Sequence, residues 1–335
     1  GGCGIDISNL RPSGAKVNNA AKTTSGAVSF MDFYSYITGL IGQSGRRGAL
    51  MISISCDHPD LEEFIEIKSD LDKVTKANIS VRVSDKFMEA VIKGETLILK
   101  FVTDTGETIT KEVEAYPIFR KLAQMNWDYA EPGILFWDRI TSWNLLSNNK
   151  EFSYAGVNPC AEEPLPAGGS CLLGSINLAE FVTKERKLDL ISLRETIRVA
   201  VIALNEVLDE GLPLHPLQEQ RDSVAEWRQI GLGVMGLADM LIKLRVKYGS
   251  ATSRSVLESI GHELIMTALE TSSMLAANYG PYPKFNRDCV IQTPFFKNLD
   301  SGDMNDLRFQ SLHDVICKYG LRNSQLLTCA PTGSI

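Results

Sequence analysis

Three residues able to do chemistry stand at alternate positions in the segment Val157-Asn158-Pro159-Cys160-Ala161-Glu162-Glu163-Pro164-Leu165: the amide of Asn158, the thiol of Cys160 and the carboxylate of Glu162. In an extended loop, residues two apart share a side, so this spacing predicts that the three groups converge on one small volume. Eleven residues beyond Cys160 comes Cys171, which opens the run Cys171-Leu172-Leu173-Gly174-Ser175-Ile176-Asn177-Leu178. Taken alone, two such cysteines fit a structural role as small buried apolar groups. They also fit a cysteine–histidine nucleophile. None of His58, His215, His262 or His313 is near either thiol in sequence, so that reading depends on proximity in the fold.

Glycine clusters form the second group of candidates. Gly1-Gly2-Cys3-Gly4, Gly42-Gln43-Ser44-Gly45-Arg46-Arg47-Gly48 and Pro331-Thr332-Gly333-Ser334 each join or follow a β-like run. Glycines allow close approach of the backbone to a ligand, and turn N–H groups can cradle an anion. Together the three loops point to a phosphorylated ligand.

Apolar runs at Leu50–Cys56, Asn78–Ser84, Ile134–Trp137, Cys171–Leu178 and Gln325–Cys329 read as strands. Helical spacing covers Met31–Ile41, Leu61–Lys68, Lys86–Lys93, Glu112–Asn126, Ile191–Leu208, Trp227–Leu244, Arg254–Tyr279 and Asp306–Lys318. This alternation predicts an α/β protein with a largely parallel sheet or barrel. The helical stretch from about 217 to 280 reads as an insertion in it. Gly231-Leu232-Gly233-Val234-Met235-Gly236 spells GxGxxG, but Glu226–Ile230 is too polar for the strand that a dinucleotide site needs before its first glycine. No acidic residue stands about 20 positions on either, between Lys247 and Val256. The glycines are expected to pack helices, and a NAD-dependent dehydrogenase is the distant alternative.

At 335 residues, 44% hydrophobic and with a net charge of −7, the chain has the composition of a soluble globular protein and not of a general phosphate-backbone binder. No nucleic-acid partner is expected. Seven cysteines without a CxxC pair suit a reducing cytoplasm, and no apolar run is long enough to span a membrane. The chain opens on Gly1 without an initiator Met and stops at Ile335, which reads as an internal fragment of something longer.

Asn158-Pro159-Cys160-Ala161-Glu162, with Cys171 and Gly174-Ser175-Ile176-Asn177-Leu178, closely resembles the active-site signature of the ribonucleotide reductase large (catalytic) subunit. The likeness runs the length of the chain. Gly1–Gly4 through Asn9-Leu10-Arg11-Pro12 resembles the family's substrate loop, and Gly45–Ala49 and Asp57–Phe64 match further blocks. Gly231–Asp239 resembles a family helix, and Arg322–Ser334 a phosphate-binding loop. The resemblance implies part of a ten-stranded α/β barrel with helical insertions, residues 1–335 forming one partial barrel domain whose N- and C-terminal neighbours are missing.

It further implies that Cys160, as a thiyl radical, takes the 3′ hydrogen of a ribonucleotide di- or triphosphate. Glu162 is then the general base, Asn158 orients the sugar, and Cys171 is half of a redox dithiol whose partner is expected upstream of residue 1. A closed, buried chamber is expected around Cys160. Substrate contacts carry over to Gly2, Pro331, Thr332, Gly333 and Ser334. Effector contacts (deoxynucleotides or ATP) carry over to Arg11 and Lys16, and specificity-loop roles to Gln43, Ser44, Gly45, Arg46 and Arg47. The texture of 43–63 and 326–335 resembles the adenosylcobalamin-dependent class; the other class needs a separate small radical-generating subunit. A thioredoxin- or glutaredoxin-type reductant and a homodimer are also implied, with no resident metal ion. Alone, the fragment is expected to be inactive. A nucleotide-binding regulatory module is the alternative reading.

Overall fold

The computed structural model describes residues 2–17, 21–43, 46–300 and 307–333. It divides into two compact units, Gly1–Ser142 with Ala155–Pro164, and Trp143–Tyr154 with Leu165–Ile335. Both mix helices and strands, the α/β class expected. Among the described residues no helix is long and apolar enough to cross a membrane.

The first unit is built on a parallel sheet in the spatial order Gly2–Asp6, Ala49–Ser55, Asn78–Val83, Gly133–Phe136. Its central strands are covered on both faces, which is why they read as nearly unbroken apolar runs. Ile52, Ile54 and Val81 are wholly buried, packed with Leu61, Phe64 and Ile65 of the Leu61–Glu66 helix. The crossovers are helical. Ser84 caps the Asp85–Lys93 helix by accepting from the Phe87 N–H at 3.1 Å, and Gly94 ends it in a left-handed conformation.

Two departures from the sequence reading have clear causes. Residues read as the start of the Glu112–Asn126 helix instead complete an antiparallel hairpin, Thr96–Val102 with Thr108–Glu114, because Thr108-Ile109-Thr110 and Val113 carry β-branched residues; the helix begins at Ala115. In the second unit the GxGxxG segment is a strand rather than part of a helix. Ile230–Met235 pairs in parallel with Leu172–Asn177, and the helix starts only at Leu237. Gly231 and Gly233 lie inside the strand and only Gly236, left-handed with φ of +66°, stands in the turn before the helix, so the first two glycines are not in the turn that a dinucleotide site requires.

The second unit's core lies between those two strands and the long helices Leu190–Gly211 and Ala251–Tyr279. Asp189 and Ser250 cap these helices through the N–H groups of Ser192 and Ser253. The Gln325–Cys329 run is extended, with one parallel bridge from Leu327 to Leu232.

Candidate active site

In the first unit, the thiol-bearing loop is a closed turn rather than an extended segment. Asn158 N–H donates to the Glu163 carbonyl at 3.1 Å, Glu163 N–H donates back to Asn158 Oδ1 at 2.9 Å, and Ala161 N–H donates to the Asn158 carbonyl at 3.0 Å. Ala161 has φ of +69°, so the simple two-residue alternation expected of Asn158, Cys160 and Glu162 is broken between the last two. Asn158 spends its side-chain oxygen on bracing the loop.

The loop is seated on the glycine strand. A Cβ on Gly2 would lie 2.3 Å from Pro159 Cγ, and one on Gly4 only 1.7 Å from the Val157 carbonyl oxygen. The glycines of Gly2-Cys3-Gly4 therefore give the loop room to approach a sheet edge. Asn78 Nδ2 donates to the Pro159 carbonyl at 3.0 Å and ties the loop to a third strand. Val157 is buried with Met51 and Leu135, and Ala161 packs on them.

Among the described residues Cys160 is exposed rather than enclosed as expected. The reason is local. Pro159 and Val157 are drawn onto the sheet and the Asn158–Glu163 bonds pull both loop ends inward, which leaves residue 160 at the tip. Partial loss of solvent around the sulfur, and then the nearby Glu162 carboxylate, push the thiol above its ordinary range. Glu162 is half-buried with Oε2 out of solvent reach, and Glu163 is buried.

Arg11 is half-buried and paired with Asp104 at 2.9 Å; Lys16 is exposed and bridges to Thr23 in an antiparallel pair. Sequence reasoning did not see what organises this segment. The buried Asp60 carboxylate accepts from the N–H groups of Ser13 and Ala27 at 2.9–3.1 Å. His58 Nε2 meets the Leu10 carbonyl at 2.9 Å. The matched block around Asp57-His58-Pro59-Asp60 was the available signal. Gln43 pairs with Arg46, and Arg47 with Gly42, through the backbone. Ser44 and Gly45 lie outside the described residues.

In the second unit, Cys171 is half-buried at the entrance to the Leu172–Asn177 strand, its thiol 3.6 Å from the Leu172 carbonyl. Pro331 and Gly333 are exposed, and Thr332 is half-buried with φ of +51°, a conformation a β-branched residue rarely holds. Ser334 lies outside the described residues. All seven cysteines are free, and the described residues contain no cluster of three or more metal-ligating side chains.

In the first unit a parallel sheet carries a thiol loop braced by the Asn158 side-chain amide and the Glu163 backbone. The chain belongs to the ribonucleotide reductase family: the model of the ribonucleotide reductase barrel domain matches residues 1–335. The vitamin B12-dependent ribonucleoside-diphosphate reductase of Thermoplasma acidophilum is 36% identical over 285 residues, 84% of this chain and 36% of that protein. The protein of the same name from Mycobacterium tuberculosis (strain H37Rv) is 31% identical across the whole chain, which covers 43% of it. The vitamin B12-dependent ribonucleotide reductase of Streptomyces clavuligerus is also 31% identical across the whole chain, covering 39% of that protein. The chain thus spans well under half the length of these relatives.

Proposed function

We propose that this chain is the catalytic barrel region of an adenosylcobalamin-dependent ribonucleotide reductase that reduces ribonucleoside diphosphates. The observation that carries the reading is the Asn158–Glu163 loop, its thiol at the tip, built against a glycine strand in a chain of this family. The names of the relatives support the cofactor class and the diphosphate substrate.

Cys160 suits hydrogen-atom transfer because partial burial and the Glu162 carboxylate both favour its S–H form. Its exposure at the loop tip fits a radical source arriving from outside the loop, with Pro159 and Ala161 flanking the approach. Adenosylcobalamin, when bound, supplies the one-electron chemistry that removes the hydrogen atom from this thiol. The Cys160 thiyl then takes the 3′ hydrogen of the ribose. Glu162 accepts the 3′-hydroxyl proton. Asn158, its oxygen engaged by the loop, has its N–H to offer the sugar. The 2′-hydroxyl leaves as water; Cys171 and a second thiol supply two electrons and two protons, one proton completing that water and one replacing the hydroxyl on C2′, and close to a disulfide, while Glu162 returns its proton to the 3′ oxygen and Cys160 its hydrogen to C3′. A thioredoxin- or glutaredoxin-type protein would reopen that disulfide.

The turn at Pro331-Thr332-Gly333 would hold phosphate; a strained Thr332 is in keeping with a ligand clamp. The Asp60-braced segment with Arg11 and Lys16, and the paired Gly42–Gln43 and Arg46–Arg47 strands, would bind the effector nucleotide and report it. Phe33, Tyr36, Ile37 and Leu40 repeat at helical spacing and are 37–68% exposed, an apolar stripe that supports a homodimer.

The test is Cys160→Ser in the full-length protein. Deoxynucleotide formation is expected to fall by at least about 1,000-fold while nucleotide affinity stays within about twofold. Retained reduction would remove the thiyl mechanism.

A further inference from the structure

Two buried asparagines in the second unit form a reciprocal amide pair that the proposed chemistry does not use. Asn205 Nδ2 donates to Asn323 Oδ1 at 3.1 Å, and Asn323 Nδ2 donates to Asn205 Oδ1 at 3.0 Å. The remaining capacity of both amides is also filled. Asn205 donates to the Val201 carbonyl and accepts from Arg228 Nη2; Asn323 donates to the Arg228 carbonyl and accepts from the Ser272 hydroxyl. Arg228, itself buried and left-handed, is held by Asp209. Asn323 is thus gripped by the Leu190–Gly211 helix, the Ala251–Tyr279 helix and the corner before the Ile230–Met235 strand.

From Asn323 the chain runs along that strand. Ile230 N–H donates to the Gln325 carbonyl, Leu232 N–H to the Leu326 carbonyl, and Thr328 N–H to the Leu232 carbonyl, at 2.8–3.1 Å. The Thr328 carbonyl fits only because residue 233 is glycine; a Cβ there would sit 2.6 Å from it. Three residues after Thr328 begins the Pro331-Thr332-Gly333 turn.

Backbone pairing of this kind repeats along a strand and does not select one register by itself. Apolar packing would fill the Asn205–Asn323 site without polar cost. A reciprocal amide pair, by contrast, closes in one alignment only. A slip of one residue would take Leu326 out of the core and set another carbonyl over Gly233.

We propose that the Asn205–Asn323 pair is a positioning device: it sets the register of the Arg322–Gly333 segment on the Ile230–Met235 strand and so fixes where the Pro331-Thr332-Gly333 turn meets a nucleotide phosphate. This rests on the phosphate role proposed above for that turn.

The experiment uses the full-length protein as wild type, as Asn205→Leu, and as the milder Asn205→Asp, which keeps the acceptor facing Asn323 and Arg228. Peptide-resolved amide exchange and binding and turnover of cytidine diphosphate are measured on each. The leucine variant is expected to exchange at least about tenfold faster in 325–333 while the Leu172–Asn177 strand keeps its protection. Its KM for cytidine diphosphate is expected to rise about tenfold with kcat within about threefold, a loss of ground-state binding. The aspartate variant should lie between the two. Unchanged protection in 325–333, in the aspartate variant if the leucine one does not fold, overturns the proposal; so does faster exchange with unchanged KM. A wild type that does not bind cytidine diphosphate overturns the phosphate role of the turn, and the coupling to it, while the exchange data still decide the register.

Discussion

Gly4→Ala puts one methyl group where the structure has no room for it. The new carbon would lie 1.7 Å from the Val157 carbonyl oxygen and 2.8 Å from its carbon, where ordinary contact begins near 3.4 Å. Gly4 pairs in parallel register with Met51, which is buried in the sheet, so the strand is the stiffer partner and the loop is expected to yield. The required displacement is roughly 1.5 Å, and overpacking of this kind costs about 1–3 kcal/mol. A misplacement of about 1 Å at reacting groups can cost about 100-fold in rate. Deoxynucleotide formation by the full-length variant should therefore fall about 100-fold, with a modest loss of melting temperature. Gly94→Ala is the control. It has open space around it and a left-handed φ of +68°, so it should lower stability by about 1 kcal/mol without changing turnover. If Gly4→Ala keeps more than half its activity and melts with the wild type, the loop is not held by the glycine strand and the reasoning is wrong.

Burial and charge elsewhere in the molecule set further outcomes. Burial pushes the Glu263 carboxyl up, but hydrogen bonds from Arg194, Arg308 and Thr267 outweigh it and hold the group at about 2. A carboxyl depressed from 4.5 stabilises the fold above that pH, by at most about 3 kcal/mol, and the contribution is lost as pH falls from about 5 towards 2. Acid titration of stability should show that loss, and Glu263→Gln should flatten it; equal acid sensitivity in both proteins counts against the cluster. The raised Cys160 thiol should be alkylated by iodoacetamide at a rate that still climbs above pH 9, read by peptide mass spectrometry, and Glu162→Gln should bring the plateau lower. A wild-type plateau by about pH 8 contradicts the assigned environment. Tyr36→Glu combined with Leu40→Glu should convert a dimer to a monomer in sedimentation; a wild type that is already monomeric at micromolar concentration refutes the role of that stripe.

The sequence alone placed most of the elements, because strands such as Ala49–Ser55 and helices such as Leu190–Gly211 announce themselves through apolar runs and a 3.6-residue period within a few turns of chain. It also named the loop residues Asn158, Cys160 and Glu162 as the ones with chemistry to offer. It misread Ile230–Met235, whose glycine and apolar residues show neither period, and the hairpin before Ala115, whose pairing closes over a turn. Tertiary structure decided the rest. Gly4 needs to be glycine because Val157 lies on it, the loop is a closed turn because Glu163 folds back on Asn158, and Asn205 has a purpose because Asn323, 118 residues away, faces it. Local preference acts over neighbouring residues, whereas steric clearance and paired amides depend on which distant segments the folded chain brings together.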